Sequence, residues 1–127
     1  MAGLFRLETP VFTESYSGTT LTAASDAATT LTADQTIQGI VTMTPGAARN
    51  LTTATAALIV AAIPEPRVGT TFELTVVNLA GATHAITLVG GDSVTVVGAA
   101  AVAHATSATF KGRVTNVTTP AVSFYRS

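Results

Sequence analysis

The segment 107–117 constrains the fold more than any other part of the sequence, because small or apolar residues alternate in it with polar ones. Successive side chains of a β-strand point to opposite faces of a sheet, so this pattern predicts a strand with one buried face. The buried face is predicted to carry Ala108, Phe110, Gly112 and Val114, opposite Thr109, Lys111, Arg113 and Thr115.

Other short segments with the same period lie between turn residues. They predict strands at 36–43, 71–78, 84–89, 93–97 and 122–124, with Tyr125 presented beside the last one, and an edge strand at 11–16 after Pro10. Residues 99–105 are ambiguous. Gly90-Gly91-Asp92 predicts a tight hairpin turn that pairs 93–97 back onto 84–89. About seven or eight short strands with regular turns predict an all-β chain, a β-sandwich of jelly-roll type.

The segment 53–63 is the best candidate for a helix. Its alanines favour helix, Thr52 or Thr53 can serve as the N-cap, and Pro64 prevents continuation. A buried strand is the alternative interpretation of its apolar run, and the alanine content favours the helix. The side chains expected to pack on a sheet are Leu58, Ile59 and Ile63.

Composition divides the chain near residue 35. Residues 1–17 mix large apolar groups with charges, whereas eleven of the 17 residues in 18–34 are Ala or Thr. We interpret 1–35 as an N-terminal arm with an Ala/Thr-rich linker, and 36–127 as a β-sandwich domain. The alternative is that the arm adds an edge strand to its own sandwich. The candidate partner-binding residues of the arm are Leu4, Phe5, Leu7, Val11 and Phe12.

Charge and residue types argue against several classes of partner. Six basic and seven acidic residues give a net charge of -1, which leaves no basic excess for nucleic acid. No cysteine is present to form a disulfide or a thiolate site. The longest apolar runs, 56–63 and 96–103, fall well short of the roughly 20 residues of a membrane span. We therefore expect neither a nucleic-acid nor a membrane partner.

No constellation of residues predicts catalysis or metal binding. His84 and His104 stand 20 residues apart with no carboxylate close in sequence, whereas a metal site needs about three or four ligands. Ser107, His104 and Asp92 can be combined on paper into a nucleophilic triad, but the Gly-x-Ser-x-Gly elbow is missing. The sequence therefore predicts no metal, no cofactor and no enzyme activity.

The low charge itself suggests assembly. Charged residues make up 10% of the chain, against roughly 25% in ordinary soluble domains. Depletion of charge is typical of interface centres. We interpret the composition as that of a permanently assembled protein, with a monomeric Thr-rich β-domain as the alternative.

Several stretches share a pattern of apolar, Gly and Asn positions with a known family. They are 38–41 (Gln-Gly-Ile-Val), 45–49 (Pro-Gly-Ala-Ala-Arg), 54–63, 68–78, 112–117 (Gly-Arg-Val-Thr-Asn-Val) and 121–126. Over about residues 36–126 the chain resembles the head decoration, or cement, proteins of tailed bacteriophages. The resemblance implies a compact β-sandwich, commonly trimeric, seated on the outer capsid near local three-fold positions, without catalytic residues.

The expected function follows from that resemblance. We expect a virion structural protein, a homotrimer that binds the major capsid protein on the outer surface of the head and stabilises the lattice. The alternative is a receptor- or carbohydrate-binding β-module of a phage tail or fibre. Such a module needs exposed aromatic side chains, and this chain has no Trp, two Tyr and five Phe, several of which fit the core alternation.

Overall fold

The computed structural model describes residues 19–127. In this part of the chain, ten short strands and two short helices follow one another. They are β1 (Thr20–Ala23), β2 (Thr29–Thr30), α1 (Ala33–Thr36), β3 (Gly39–Met43), β4 (Arg49–Thr52), α2 (Ala56–Ala62), β5 (Thr71–Asn78), β6 (Ile86–Val89), β7 (Val94–Val97), β8 (Ala101–Val102), β9 (Ser107–Asn116) and β10 (Ala121–Arg126).

Consecutive strands alternate between two sheets from β1 to β8. The six-stranded sheet has the order β1-β3-β5-β9-β10-β7, and the four-stranded sheet has the order β2-β4-β6-β8. Within this alternation, β1, β3 and β5 are neighbours in one sheet, and β2, β4, β6 and β8 are neighbours in the other. As a result β1, β3 and β5 pair in parallel, and so do β2, β4 and β6. We call the strand pairs β1–β2, β3–β4 and β5–β6 the three rungs.

The expectation of a mainly β chain with two sheets is confirmed, but the jelly-roll topology is not. Jelly rolls are built from antiparallel strands. Of the eight strand pairings within residues 19–127, five are parallel and three are antiparallel. Four of the parallel pairings join successive rungs, which run in the same direction, and the fifth joins β7 to β10.

The hairpin prediction for Gly90-Gly91-Asp92 was wrong. The strands on either side, β6 and β7, belong to different sheets, so these residues carry the chain from one sheet to the other. A Cβ at Gly90 would lie 2.2 Å from the carbonyl oxygen of Val94, and Gly91 donates its N–H to Thr53 Oγ1 at 3.0 Å. A tight turn is present, because the N–H of Val94 donates to the carbonyl of Gly91 at 3.0 Å, but it lies in a crossover between the sheets and not in a hairpin.

Residues 19–35 do not form the loose linker that their composition suggested. Strands β1 and β2 lie in the two sheets, and Leu31 is 2% exposed in the core. Thr32 caps α1, because its Oγ1 accepts the N–H of Gln35 at 3.2 Å and its own N–H donates to Gln35 Oε1 at 2.9 Å. The predicted strand 11–16 lies outside the described residues, so the separate arm stays a prediction.

The predicted helix is confirmed as α2, with a different N-terminus. Its N-cap is Thr55, whose Oγ1 accepts the N–H of Leu58 at 3.3 Å, so the helix begins two or three residues later than expected. It ends at Ala62, with Ile63 as its C-cap directly before Pro64. Ile59 is buried as predicted, whereas Leu58 is 56% exposed, so the expected packing of Leu58 was wrong.

Buried side chains from both sheets and from α2 form one hydrophobic cluster. The alternation predicted for β9 is confirmed, with Phe110 fully buried and Lys111 exposed. Gly112 pairs with Phe72 on one side and Phe124 on the other, and these two rings meet edge to face with centroids 5.5 Å apart. A Cβ at Gly112 would lie 2.2 Å from the Phe72 ring, so the rings fit only over a glycine.

Candidate interaction surface

On the side of the six-stranded sheet that faces away from the core, side chains of neighbouring strands are aligned in rows that run across the sheet. The register places Leu21, Ile40, Thr75 and Thr109 in one row across β1, β3, β5 and β9. A second row crosses β5, β9, β10 and β7 and contains Glu73, Lys111, Tyr125 and Val97. We call these eight residues the outer face.

The outer face is polar in the middle and apolar at both edges of the sheet. In the middle, the hydroxyl groups of Thr75 and Thr109 share a hydrogen bond of 3.1 Å. Leu21 is 70% exposed at one edge, whereas Val97 and Tyr125 are 44% and 42% exposed at the other. A surface that is apolar at its ends and hydrogen-bonded between them suits contact with protein.

The two charges of the outer face offset each other. Lys111 Nζ lies 4.0 Å from Glu73 Oε2, and both side chains are more than half exposed. An exposed pair of this kind contributes little to folding stability, since water and salt screen it. The pair itself carries no net charge, whereas Arg113, exposed on the same side of β9, adds a positive charge beside it.

A surface groove of about 450 Å³ crosses the outer face beside β3 and β5. Its volume is that of a small-molecule pocket, but its lining is mainly polar, whereas ligand pockets are mainly apolar. The first described residue lies at its rim, so the segment 1–18 joins the body there. The lining residues are Thr19, Gln38, Gly39, Ile40, Thr71, Phe72, Glu73, Thr75 and Lys111.

The carboxylate of Asp26 fastens the first rung to the second. Its Oδ1 accepts hydrogen bonds from Arg49 Nε at 2.8 Å and from the N–H of Gly46 at 2.9 Å. The pKa of Asp26 lies below its ordinary value of 3.8. The main cause is the hydrogen bond from Arg49, and the second is the hydrogen bond from the N–H of Gly46. The charge therefore has a structural use, as a clamp between two loops.

The other polar candidates do not converge. Within residues 19–127, no three His, Cys, Asp or Glu side chains are grouped so that they could hold a metal ion. Ser107 begins β9, His104 lies in the loop before it, and Asp92 lies in the crossover between β6 and β7.

No helix within residues 19–127 is long and apolar enough to cross a bilayer.

The predicted arm residues Leu4, Phe5, Leu7, Val11 and Phe12 lie outside the described residues, so their role stays a prediction. Sequence reasoning missed Leu21 as a surface residue, because it assigned 18–34 to a spacer. The alternation of Thr20, Leu21 and Thr22 gives no signal of this exposure, because it would direct Leu21 toward the core and the threonines toward solvent. Three residues are too short a run to distinguish a strand from a spacer.

Comparison with known proteins identifies no relative: no family model, no curated protein and no solved structure matches the chain. The resemblance to phage decoration proteins therefore depends on the stretches quoted for it. The geometry of the outer face is an independent observation about the same chain.

Proposed function

We propose that the chain is a virion structural protein, a decoration or cement protein that binds the outer surface of a phage head and stabilises the capsid lattice. The observation that carries the proposal is the outer face, which exposes Leu21 at one edge of the sheet and Val97 and Tyr125 at the other. Protein interfaces bury apolar and aromatic side chains of this kind. The resemblance supplies the kind of partner, and a mainly β chain with two sheets is compatible with the β-module that it implies.

The proposed partner is the major capsid protein, gripped in part by the arm. Because Thr19 lines the groove of the outer face, residues 1–18 join the body on the side that we propose meets the shell. Full burial of the five large apolar arm residues would contribute roughly 7–15 kcal/mol of gross transfer free energy. Ordering the backbone offsets much of this, at about 1–2 kcal/mol per residue.

The proposed assembly is a homotrimer on the virion surface, acting without a cofactor and without catalysis. Its effect on the lattice is mechanical, since one subunit that touches two capsid proteins resists their separation. A charge-poor surface is consistent with a protein that spends its working life in such contacts.

Aromatic positions weigh against the alternative of a receptor- or carbohydrate-binding module. Phe72, Phe110 and Phe124 are all buried in the core. Tyr125 is thus the one exposed aromatic side chain in residues 19–127. A single tyrosine offers little stacking surface for a sugar ring.

Head binding tests the proposed function directly. The purified chain is mixed with heads assembled without it by the encoding phage, sedimented, and then imaged with a gold-labelled antibody. We expect the chain to sediment with heads and the label to cover the shell. Label confined to tails or fibres would favour the alternative, and an unbound chain would contradict both.

Deletion of residues 1–17 tests the arm. We expect the shortened chain to unfold cooperatively, as the full chain does, but to lose head binding. Leu58→Ser in the full chain is the control, because Leu58 is an exposed apolar residue on α2, outside the outer face. It should keep binding. A shortened chain that fails to fold would place the segment in its own core and overturn the arm.

A further inference from the structure

The six-stranded sheet has two open edges within residues 19–127, where β1 pairs only with β3 and β7 pairs only with β10. Neither edge strand contains a charged residue or a proline. Native proteins protect exposed edges with short strands, charges, proline, bulges or a covering segment, because unpaired N–H and C=O groups attract another strand. Of these protections, the two edge strands have only their length of four residues.

The two edge strands also run in the same direction. Strand β9 is antiparallel to both β5 and β10, so β10 runs with β5, and β7 is parallel to β10. Strand β1 runs with β3 and β5. If β7 of one copy lay beside β1 of another, the two would form a parallel pair, the same kind of pairing that each edge strand already makes.

The side chains at the two edges match in chemistry. Leu21 on β1 and Val97 on β7 are exposed apolar residues at opposite edges of the outer face. On the inner side, Thr22 and Val96 are each half-buried. Joining the edges would cover apolar surface on both sides of the sheet and would bring no two like charges together.

We propose that copies of this chain join edge to edge, with β7 of one copy paired in parallel to β1 of the next. The two contacting surfaces differ, so the contact is heterologous and generates a closed ring or, if the rotation does not close, a filament. A ring of three is the trimer of the proposed function. The inference itself requires no capsid, so its test is independent of head binding.

Charges placed on each edge test the proposal by light scattering on the purified full chain without capsids. We expect the wild type to exceed the mass of a dimer of 12.8 kDa chains. Leu21→Lys on β1 and Val97→Lys on β7 should each reduce it to the monomer. Ala101→Lys is the control, because Ala101 is exposed on β8 at an edge of the other sheet, and it should keep the wild-type mass.

An equimolar mixture of the two edge variants tests the orientation. The Leu21→Lys copy keeps an intact β7, and the Val97→Lys copy keeps an intact β1, so one good contact forms and the mass should be twice that of the chain. A contact between two identical edges would leave one variant dimeric by itself and would overturn the proposal. A monomeric wild type would also overturn the proposal, because the two edges would then be covered within a single chain.

A double variant separates lost pairing from lost folding. Leu21→Glu together with Val97→Lys places opposite charges at every β7–β1 contact, so assembly should return to the wild-type mass. Variants that are simply misfolded would not be rescued by a second charge. Failure of the double variant to assemble, although it melts cooperatively, would contradict the proposed contact.

Discussion

Different interactions hold together the antiparallel strands β9 and β10 and the three parallel rungs. Strand β9 pairs with β5 and β10 along nearly its whole length, so its polar backbone groups are met by neighbouring strands. The rungs are joined by longer crossovers, which no ladder covers. There, buried side chains supply hydrogen bonds to the backbone.

Two buried threonines supply these hydrogen bonds in the crossovers between rungs. Thr36 Oγ1 donates to the carbonyl of Thr32 at 2.8 Å and accepts the N–H of Ala54 at 3.1 Å. Thr53 Oγ1 donates to the carbonyl of Ala54 at 2.9 Å and accepts the N–H of Gly91 at 3.0 Å. Buried backbone groups must be paired, so these hydroxyls replace a missing strand partner.

Asn78 has the same use between the sheets. Its Nδ2 donates to the carbonyls of His84 at 2.8 Å and Val102 at 2.9 Å, and its Oδ1 accepts the N–H of Ala80 at 3.0 Å. The side chain is buried at the end of β5. Buried side-chain volume thus stabilises the antiparallel strands β9 and β10, whereas buried polar side chains stabilise the crossovers of the parallel rungs.

The largest expected loss of stability comes from removing side-chain volume in β9. Phe110→Ala should lower the free energy of unfolding by about 3–5 kcal/mol, because the ring is fully buried and leaves a cavity. Lys111→Ala, one residue further along the strand, should change it by less than about 0.5 kcal/mol. Urea titration of both variants measures the difference, and equal losses would contradict the register of β9.

Adding volume at Gly112 should cost somewhat less. Gly112→Ala should destabilise by about 1–3 kcal/mol, because the new methyl group forces the Phe72 ring out of its place. Gly81→Ala is the matched control, since no atom lies within 4 Å of the added Cβ. The two melting temperatures are compared, and a tolerated Gly112→Ala would mean that the rings do not depend on the glycine.

Removing a hydroxyl from a crossover tests the other side of the comparison. Thr53→Val keeps the shape but leaves the N–H of Gly91 and the carbonyl of Ala54 without their partner, which should cost roughly 1–2 kcal/mol. Thr115→Val, on β9, should change stability by less than about 0.5 kcal/mol. Equal melting temperatures for the two variants would remove the distinction between rungs and antiparallel strands.

The smallest expected effect concerns the exposed clamp of Asp26, and it depends on pH. Its lowered pKa means that the folded state favours the ionised carboxylate, so the stabilisation is complete above the ordinary value of 3.8 and fades as pH falls through the lowered pKa. Asp26→Asn should melt earlier at neutral pH, and the melting temperatures of the two proteins should converge as pH falls through the lowered pKa of Asp26. The exposed Asp92→Asn is the control, and a gap that widens with acid would contradict the clamp.

Parts of the fold were predictable because they are local. The alternation in β9 and in β5 is visible over eight or more residues, since each strand has one buried face. By contrast β4 has a single fully buried residue, Leu51, and β2 has only two residues, so neither leaves a readable period. Pairing is non-local: nothing in Gly90-Gly91 itself distinguishes a hairpin from a crossover between sheets.

The candidate surface was predictable only residue by residue. Alternation alone indicated that Lys111 and Tyr125 would be exposed. Their alignment with Glu73 and Val97 depends on the register of four strands, which brings together residues far apart in sequence. The exposure of Leu21 was not predicted, because an edge strand is defined by having a partner on one side only. That information lies in the neighbouring strand and not in the segment itself.

The position of β9 has a consequence for how the chain is made. It lies inside the six-stranded sheet, between β5 and β10, although nearly every other strand precedes it in sequence. While a ribosome delivers the chain from its N-terminus, the alternating apolar strand β5 has one unpaired side until residues 107–116 emerge, and β7 waits longer still for β10. Non-local pairing of this kind is slow. Newly made molecules therefore pass through a period in which an unpaired strand edge is open, and such species aggregate more as their concentration rises.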